Sequence, residues 1–195
     1  KFILEALGGV DAQVYNIGMS DADEPELTYI HTGLMAATAL ATGAADFVVG
    51  GCGTGQGFLL SAMQYPGVFC GLITEPLDAW LFAQINGGNC VSLALNKGFG
   101  WGGDLNRKYI FEKLFCDGFG AGYPPQRSES QKASRKLLGE INSITHRDFP
   151  SVIGDLNSKI TSRAFGHRPF ADFIAAFAKD GELKKLLLEM GSGSL

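Results

Sequence analysis

The sequence has few charged residues and no block of charges of one sign. Charged side chains make up 18% of its 195 residues, and the formal net charge is −4. Because binding to nucleic acid depends on a basic patch, we predict no nucleic-acid partner. No apolar run is long enough to span a bilayer, so we predict no membrane association. The 46% of hydrophobic residues is typical of a globular chain rather than a disordered one.

Cysteine is scarce, and no two cysteines form a C-x-x-C pair. The four cysteines are Cys52, Cys70, Cys90 and Cys116. A structural zinc site needs ligands clustered in twos, and disulfides are unusual in a long, glycine-rich chain with this spacing, so both are disfavoured. The chain begins at Lys1 and shows no signal-peptide pattern. We therefore expect a reduced, cytoplasmic protein in which the last three cysteines lie in the core.

Glycine, by contrast, is abundant, and its densest group follows a short apolar run. Phe47-Val-Val predicts a buried strand, glycines crowd the stretch 50–57, and the helical pattern of Phe58 to Met63 follows. In open α/β sheets, ligands bind beyond the carboxyl ends of the strands, so we expect a site at this turn. The turn lacks the G-K-[ST] ending of a Walker loop and is not a clean dinucleotide fingerprint.

Strand and helix patterns alternate through the first two thirds of the chain. The spacing predicts a three-layer α/β/α sandwich with a parallel, Rossmann-like sheet and a C-terminal helical extension. We place an α/β domain at residues 1–139 and the extension at 140–195. Two or three helices are predicted after the charged helix that ends near Ile141. Since such folds usually open with a strand and this chain opens in a helix ending at Leu7, we expect a strand to precede it. The other predicted strands are Gln13–Ile17, Val68–Ile73 and Cys90–Leu95, and the predicted helices are Leu27–Thr42, Pro76–Ile85 and a helix capped by Asp104.

Cys52 lies inside the glycine-rich turn, at the mouth of the predicted helix. The positive end of a helix and its unpaired amides favour the thiolate, which acts as a nucleophile or as a base. The amides of Gly53, Thr54, Gly55 and Gly57 offer a nest for an oxyanion or a phosphate. The alternative is that Cys52 is a small buried residue and that the glycines only form a tight turn.

Several short motifs together resemble a known family. Cys52-Gly-Thr-Gly55 is followed by Gly57, by Pro66-Gly67-Val68 and by Asn86-x-x-Asn89. This combination looks like the ribose-5-phosphate isomerase type B / galactose-6-phosphate isomerase family, over roughly residues 1–140. The resemblance implies interconversion of aldose and ketose sugar phosphates through a cis-enediolate, without a metal or organic cofactor. It also implies a homodimer, possibly a higher oligomer, with its sites between subunits.

The resemblance assigns roles to individual residues. Cys52 would be the base that moves a proton between adjacent carbons, and Thr54 with the glycine amides would stabilise the enediolate oxygen. Tyr29 matches a tyrosine that lines the family's pocket, and Asn86 matches an asparagine contributed across the dimer interface. The predicted substrate-binding residues are Tyr29, Gly51, Gly53, Gly55, Gly57, Asn86, Asn96, Lys97 and Arg127.

The chain also departs from the family's pattern. Ile85 stands where the family has the histidine that opens the sugar ring, and a family arginine aligns with Asn96 or Lys97. The Asp-His pair near the start of the family's first strand is not in this sequence. His31 is the first candidate for the missing acid, because its ordinary pKa is near neutral. Arg127 and, less so, Arg135 are candidates for binding phosphate through a bidentate fork.

Two other functions fit the same residues. Ile85 in place of histidine favours a sensor that binds sugar or nucleotide phosphates but has lost turnover. A cysteine-nucleophile hydrolase would need a histidine partner for Cys52, and only His31 is placed to supply one.

Overall fold

Three parallel strands form the centre of the protein, in a computed structural model that describes residues 2–21, 23–98 and 100–192. β1 is Val48–Cys52, β2 is Cys70–Ile73 and β3 is Cys90–Ala94. Their order is β1-β3-β2, so β3 is the central strand. Cys52 is paired with Ala94, and Ile73 with Leu93, so all three strands end at one edge of the sheet. We call this the carboxyl edge, and the opposite one the amino edge.

Helices cover both faces of the sheet, which confirms the predicted three-layer sandwich. Side chains alternate along a strand, so Val48 and Cys52 pack toward one cluster while Val49 packs toward the other. The helices are α1 Phe2–Leu7, α2 Tyr29–Ala41, α3 Gln56–Ala62, α4 Pro76–Leu81, α5 Gly103–Phe115, α6 Ser128–Thr145, α7 Phe149–Asp155, α8 Ser158–Phe165, α9 Arg168–Phe177 and α10 Glu182–Ser192. A π-helical turn, Phe82–Asn86, continues α4, and a 3-10 turn, Pro125–Arg127, precedes α6.

The predicted strand at Gln13–Ile17 is wrong. The structure gives this described segment no regular secondary structure. Its contacts are with helices rather than strands: the ring of Tyr15 meets those of Phe173 and Phe177 of α9 in a tilted arrangement, and Ile17 packs against the cluster around α2. Residues 13–16 are exposed and only Ile17 is partly buried, so the alternation of apolar residues here does not mark a strand with one buried face.

Two smaller predictions also need correction. Gly102, with φ of 77°, caps α5 in place of Asp104, which lies in its first turn. Cys116 is exposed, whereas Cys90 is buried and Cys70 is partly buried.

The C-terminal helices share one core with the α/β layers. Phe149, Ile153, Phe165 and Phe170 belong to the same buried cluster as Leu34 of α2. Helices α7 to α10 confirm that the region after α6 is helical, and its described residues, up to 192, form four helices rather than two or three. The division between residues 139 and 140 stays a prediction. None of the helices in the described ranges is long and apolar enough to cross a membrane.

Candidate functional site

Cys52 ends β1 at the carboxyl edge of the sheet, where the chain turns sharply into α3. Its carbonyl oxygen accepts hydrogen bonds from the N–H groups of Leu95 at 2.8 Å and Gly55 at 3.1 Å. The turn is therefore fixed on both sides, by the end of β3 and by its own backbone. The thiol is half-buried and lies at the position where ligands bind in parallel sheets.

Backbone amides surround the sulfur of Cys52 and favour its thiolate. Burial by itself raises the pKa of the thiol, but hydrogen bonds from the N–H groups of Phe58, Thr54, Gly55 and Gly57 outweigh it, so the pKa lies below the ordinary value of 9.0. Phe58 and Gly57 belong to the first turn of α3, whose N–H groups have no partner within the helix. The thiolate thus takes the place of a capping side chain, since the N-cap residue is Gly55.

Gly55 is a glycine because the turn leaves no alternative. Its φ of 79° is in the left-handed region that L-residues avoid. A Cβ there would lie 3.2 Å from the backbone N of Ala94. The carbonyl oxygen of Gly55 accepts a hydrogen bond of 2.5 Å from the buried Oγ of Ser92 in β3. The central strand therefore holds the start of α3, and with it the amides around Cys52.

Besides the glycines, three predicted site residues lie at this turn: Tyr29, Thr54 and Asn96. The ring of Tyr29 packs on Gly57, where an added Cβ would be 2.9 Å from Tyr29 Cδ1. The amide nitrogen of Asn96 would be 2.9 Å from a Cβ on Gly53. Thr54 is exposed, and its Oγ1 accepts a weak hydrogen bond of 3.4 Å from the N–H of Gln56. Tyr29 and Asn96 are likewise exposed, so all three side chains are accessible to a ligand over Cys52.

His31 interacts with other groups. Its Nδ1 accepts a hydrogen bond of 3.0 Å from the backbone N–H of Thr28, so the neutral ring carries its hydrogen on Nε2. Burial lowers the pKa of His31, the positive charge of Arg163 lowers it further, and Glu26 acts in the opposite direction. Residues two apart in a helix do not face the same side, so His31 points away from the side on which Tyr29 meets Gly57. Its role as the acid stays a prediction.

Lys97 lines a separate cavity. This space of about 410 Å³ lies between α1 and α5, with Ile73 and Leu93 in its wall. Those two residues pack on the face of the sheet opposite to that of Cys52. Lys97 and Asn96 are adjacent in sequence, yet the structure places only Asn96 against the Cys52 turn.

Asn86 lies near the opposite edge of the sheet. It ends the π-helical turn ahead of β3, and Asn89 O accepts a hydrogen bond from Val48 N at the start of β1. The length of β3, about 13 Å, therefore separates Asn86 from the Cys52 of its own chain. Arg127 is on the same side, because the loop before it bonds to the π-helical turn through Gly122 N and Gln84 O at 2.9 Å.

Several features of the site escape sequence reasoning. Gly51 faces Leu93 and Leu95 within the sheet rather than the turn. The amide of Phe58 and the hydroxyl of Ser92 were missed, because neither residue type signals a role in a turn. A cysteine three residues before a glycine that can serve as the N-cap, as Cys52 is before Gly55, is the signal that could have identified the first. Among the described residues, no cluster of three or more His, Cys, Asp or Glu side chains is arranged to hold a metal ion.

Comparisons with known proteins place this geometry in context. The family model described as Ribose/Galactose Isomerase matches residues 1–111. A ribose-5-phosphate isomerase from Vibrio parahaemolyticus is 40% identical with a TM-score of 0.93, and the match covers 97% of this chain and 91% of that one. A 4-deoxy-L-threo-5-hexosulose-uronate ketol-isomerase, solved with tartrate, is 39% identical with the same TM-score and coverage. No curated protein sequence matches.

The likeness extends into the C-terminal helices, since 97% coverage reaches well beyond residue 139. A more distant structure, the type B ribose 5-phosphate isomerase from Leishmania infantum, shares the fold at 16% identity and a TM-score of 0.58, with 74% of this chain and 86% of that one covered. The family model spans more than half of the chain, and the two nearer structures exceed 30% identity over almost all of it. The chain therefore belongs to the ribose/galactose isomerase family, whose members interconvert aldoses and ketoses.

Proposed function

We propose that the chain isomerises an acidic sugar by proton transfer through a cis-enediolate, with Cys52 as the base. The observation that carries this proposal is the half-buried thiol at the carboxyl edge, whose pKa is lowered by four backbone amides despite its burial. The thiolate takes the proton from the hydroxyl-bearing carbon next to the carbonyl. It then returns that proton to the former carbonyl carbon, while the hydroxyl proton moves between the two oxygens.

Charge develops on the substrate oxygen during this transfer, and donors near Cys52 stabilise it. A carbon acid next to a carbonyl is weak, so an oxyanion site is needed whichever base acts. The hydroxyl of Thr54 and the side-chain amide of Asn96 are exposed donors beside the turn. When Cys52 accepts the proton, its negative charge is neutralised. The surrounding amides can then donate hydrogen bonds to the enediolate as well. His31 is retained as a candidate for moving the hydroxyl proton.

The acidic group of the substrate is a phosphate or a carboxylate. The family and the relative from Vibrio parahaemolyticus favour a sugar phosphate such as ribose 5-phosphate. The ketol-isomerase of a hexosulose-uronate, nearly as similar, favours an unphosphorylated uronate. One specific feature supports the uronate: this chain has Asn96 or Lys97 where the family has an arginine.

We further propose a homodimer whose sites combine the two edges of the sheet. Asn86 and Arg127 lie on the amino side of their own chain, so only another copy can bring them to Cys52. α6, whose residues are all described, has no buried side chain, and Leu137, Leu138, Ile141 and Ile144 are 51–81% exposed. These four side chains form one stripe of the helix, which suits a contact with a second copy.

A substrate panel followed by ¹H NMR tests the proposal. We expect conversion of a pentose phosphate, a hexose phosphate or a hexosulose-uronate, and we expect Cys52→Ala to lose this conversion. Binding of these compounds without any conversion would support the sensor instead. A trapped acyl-enzyme on Cys52 would support the hydrolase.

A further inference from the structure

Carbonyl groups of the π-helical turn Phe82–Asn86 accept hydrogen bonds from a loop more than 30 residues later in the chain. Gly120 N donates to Ala83 O at 2.8 Å, and Gly122 N donates to Gln84 O at 2.9 Å. The side chain of Gln84 donates in return to Gly118 O at 3.0 Å. The loop 118–122 is thus bound along the turn that carries Asn86. Single π-helical turns occur often at functional sites.

Arg135 of α6 completes this arrangement with a two-pronged contact. Its Nη1 donates to Ile85 O at 2.8 Å, and its Nη2 donates to Gly120 O at 2.7 Å. The guanidinium is half-buried between the turn and the loop. A planar fork holds two carbonyls in a fixed relation, which a lysine ammonium cannot do as well.

These contacts fix the backbone on both sides of Asn86. The carbonyl of Ile85 and the nitrogen of Asn86 share one peptide plane, so holding that oxygen sets the direction from which the Asn86 side chain leaves. On the other side, Gly87 has a φ of 54° and its N–H donates to Phe82 O at 2.9 Å. Asn86 itself is exposed at this point. An exposed side chain on a backbone held this firmly is suited to enter another subunit's site.

We infer that Arg135 is a positioning residue, which orients Asn86 toward the Cys52 of a second copy by holding the carbonyl of Ile85. This inference rests on the proposed shared site. Two N–H donors of Arg135 bond to Ile85 O and Gly120 O, so its guanidinium acts on the backbone beside Asn86. The Arg135→Ala enzyme is expected to lose up to about 100-fold in kcat/KM, as a small misplacement of a substrate-binding group does. The pH dependence of Cys52 alkylation should not change, because amides of its own chain, from Thr54 to Phe58, lower the pKa of Cys52.

Mixing variants tests this directly. Arg135→Ala and Cys52→Ala are each expected to be nearly inactive, and their subunits are exchanged by mild dissociation and reassociation. Random pairing of two symmetric subunits makes half of the dimers mixed, each with one complete site, so about a quarter of the wild-type activity should return. Cys52→Ala mixed with Asn86→Ala should recover to the same level. Lys136→Ala, which removes a neighbouring charge of α6, is the matched control and should keep its activity.

The outcomes separate the inference from the function on which it rests. Recovery with Asn86→Ala but not with Arg135→Ala would overturn the role of Arg135 and leave the shared site standing. Recovery with neither would overturn both. Full activity of Arg135→Ala would also overturn the inference, whatever its melting temperature. If Arg135→Ala does not fold, Arg135→Lys takes its place in the same mixtures, because it keeps the charge and loses the fork.

Discussion

Replacing Cys52 separates its effect on stability from its effect on chemistry. Cys52→Ala removes the acceptor that the amides of Thr54, Gly55, Gly57 and Phe58 share. Loss of a helix cap costs about 0.5–2 kcal/mol. For a chain of this length, one kcal/mol lowers Tm by about 2–4 °C, so we expect a fall of about 1–8 °C. Cys52→Ser keeps an acceptor oxygen and should lose less.

The stability difference between wild type and Cys52→Ser should depend on pH. The pKa of Cys52 is lower in the folded protein than its ordinary value of 9.0. A lowered pKa means that folding favours the thiolate, so its contribution is fully present above pH 9.0 and is lost as the pH falls through the folded pKa. Wild type should therefore gain stability over Cys52→Ser as the pH rises through this window.

Urea unfolding of the three proteins across this pH range is the assay. A Cys52→Ala protein as stable as wild type would refute the capping argument. A difference between wild type and Cys52→Ser that stays constant or shrinks as the pH rises would refute the lowered pKa.

Other substitutions test the surrounding geometry. Gly55→Ala should destabilise the protein by about 2–4 kcal/mol in urea unfolding, because alanine resists positive φ and has no room there; wild-type stability would contradict this. Asn96→Ala should raise KM more than Lys97→Ala does, because only Asn96 lies against the Cys52 turn; equal effects in steady-state kinetics would contradict it. Alkylation of Cys52 by iodoacetamide should rise with pH with its inflection below pH 9.0, whereas an inflection at or above 9.0 would place the thiol in an ordinary environment.

The strand, turn and helix around Cys52 could be predicted because their signals are local. A β-branched run, a cluster of glycines and a helical pattern each act over a few residues, and no distant contact overrides them. The same holds for the start of α4, where Pro76 follows the N-cap Glu75.

The errors arise where distant parts of the chain decide the structure. The segment 13–17 contacts α9, more than 150 residues later, through Tyr15 and does not pair in the sheet. The π-helical form of residues 82–86 depends on the loop 118–122 and on Arg135. Neither contact leaves a trace in the local sequence.

The structure groups the predicted site residues differently from the sequence. Sequence reasoning grouped Asn96 with Lys97, whereas the structure places only Asn96 against the Cys52 turn and Lys97 in a cavity on the other face of the sheet. Asn86 was expected to come from a second subunit, and it lies away from the Cys52 of its own chain. Because the sheet is parallel, a residue that precedes a strand lies at the amino edge, as Asn86 does before β3, whereas Cys52 ends β1 at the carboxyl edge. The direction in which the Lys97 side chain leaves the same loop as Asn96 is not encoded in the spacing.

Solvent deuterium exchange is the measurement that bears most directly on Cys52 as the base. The substrate that the panel identifies is incubated in ²H₂O, and ¹H NMR follows the hydrogens on the two carbons that exchange the carbonyl. We predict that wild type places deuterium on the carbon that receives the transferred proton, and that Cys52→Ser, with folding confirmed by its melting curve, does so at least 100-fold more slowly. Exchange by Cys52→Ser at the wild-type rate would show that another group moves the proton.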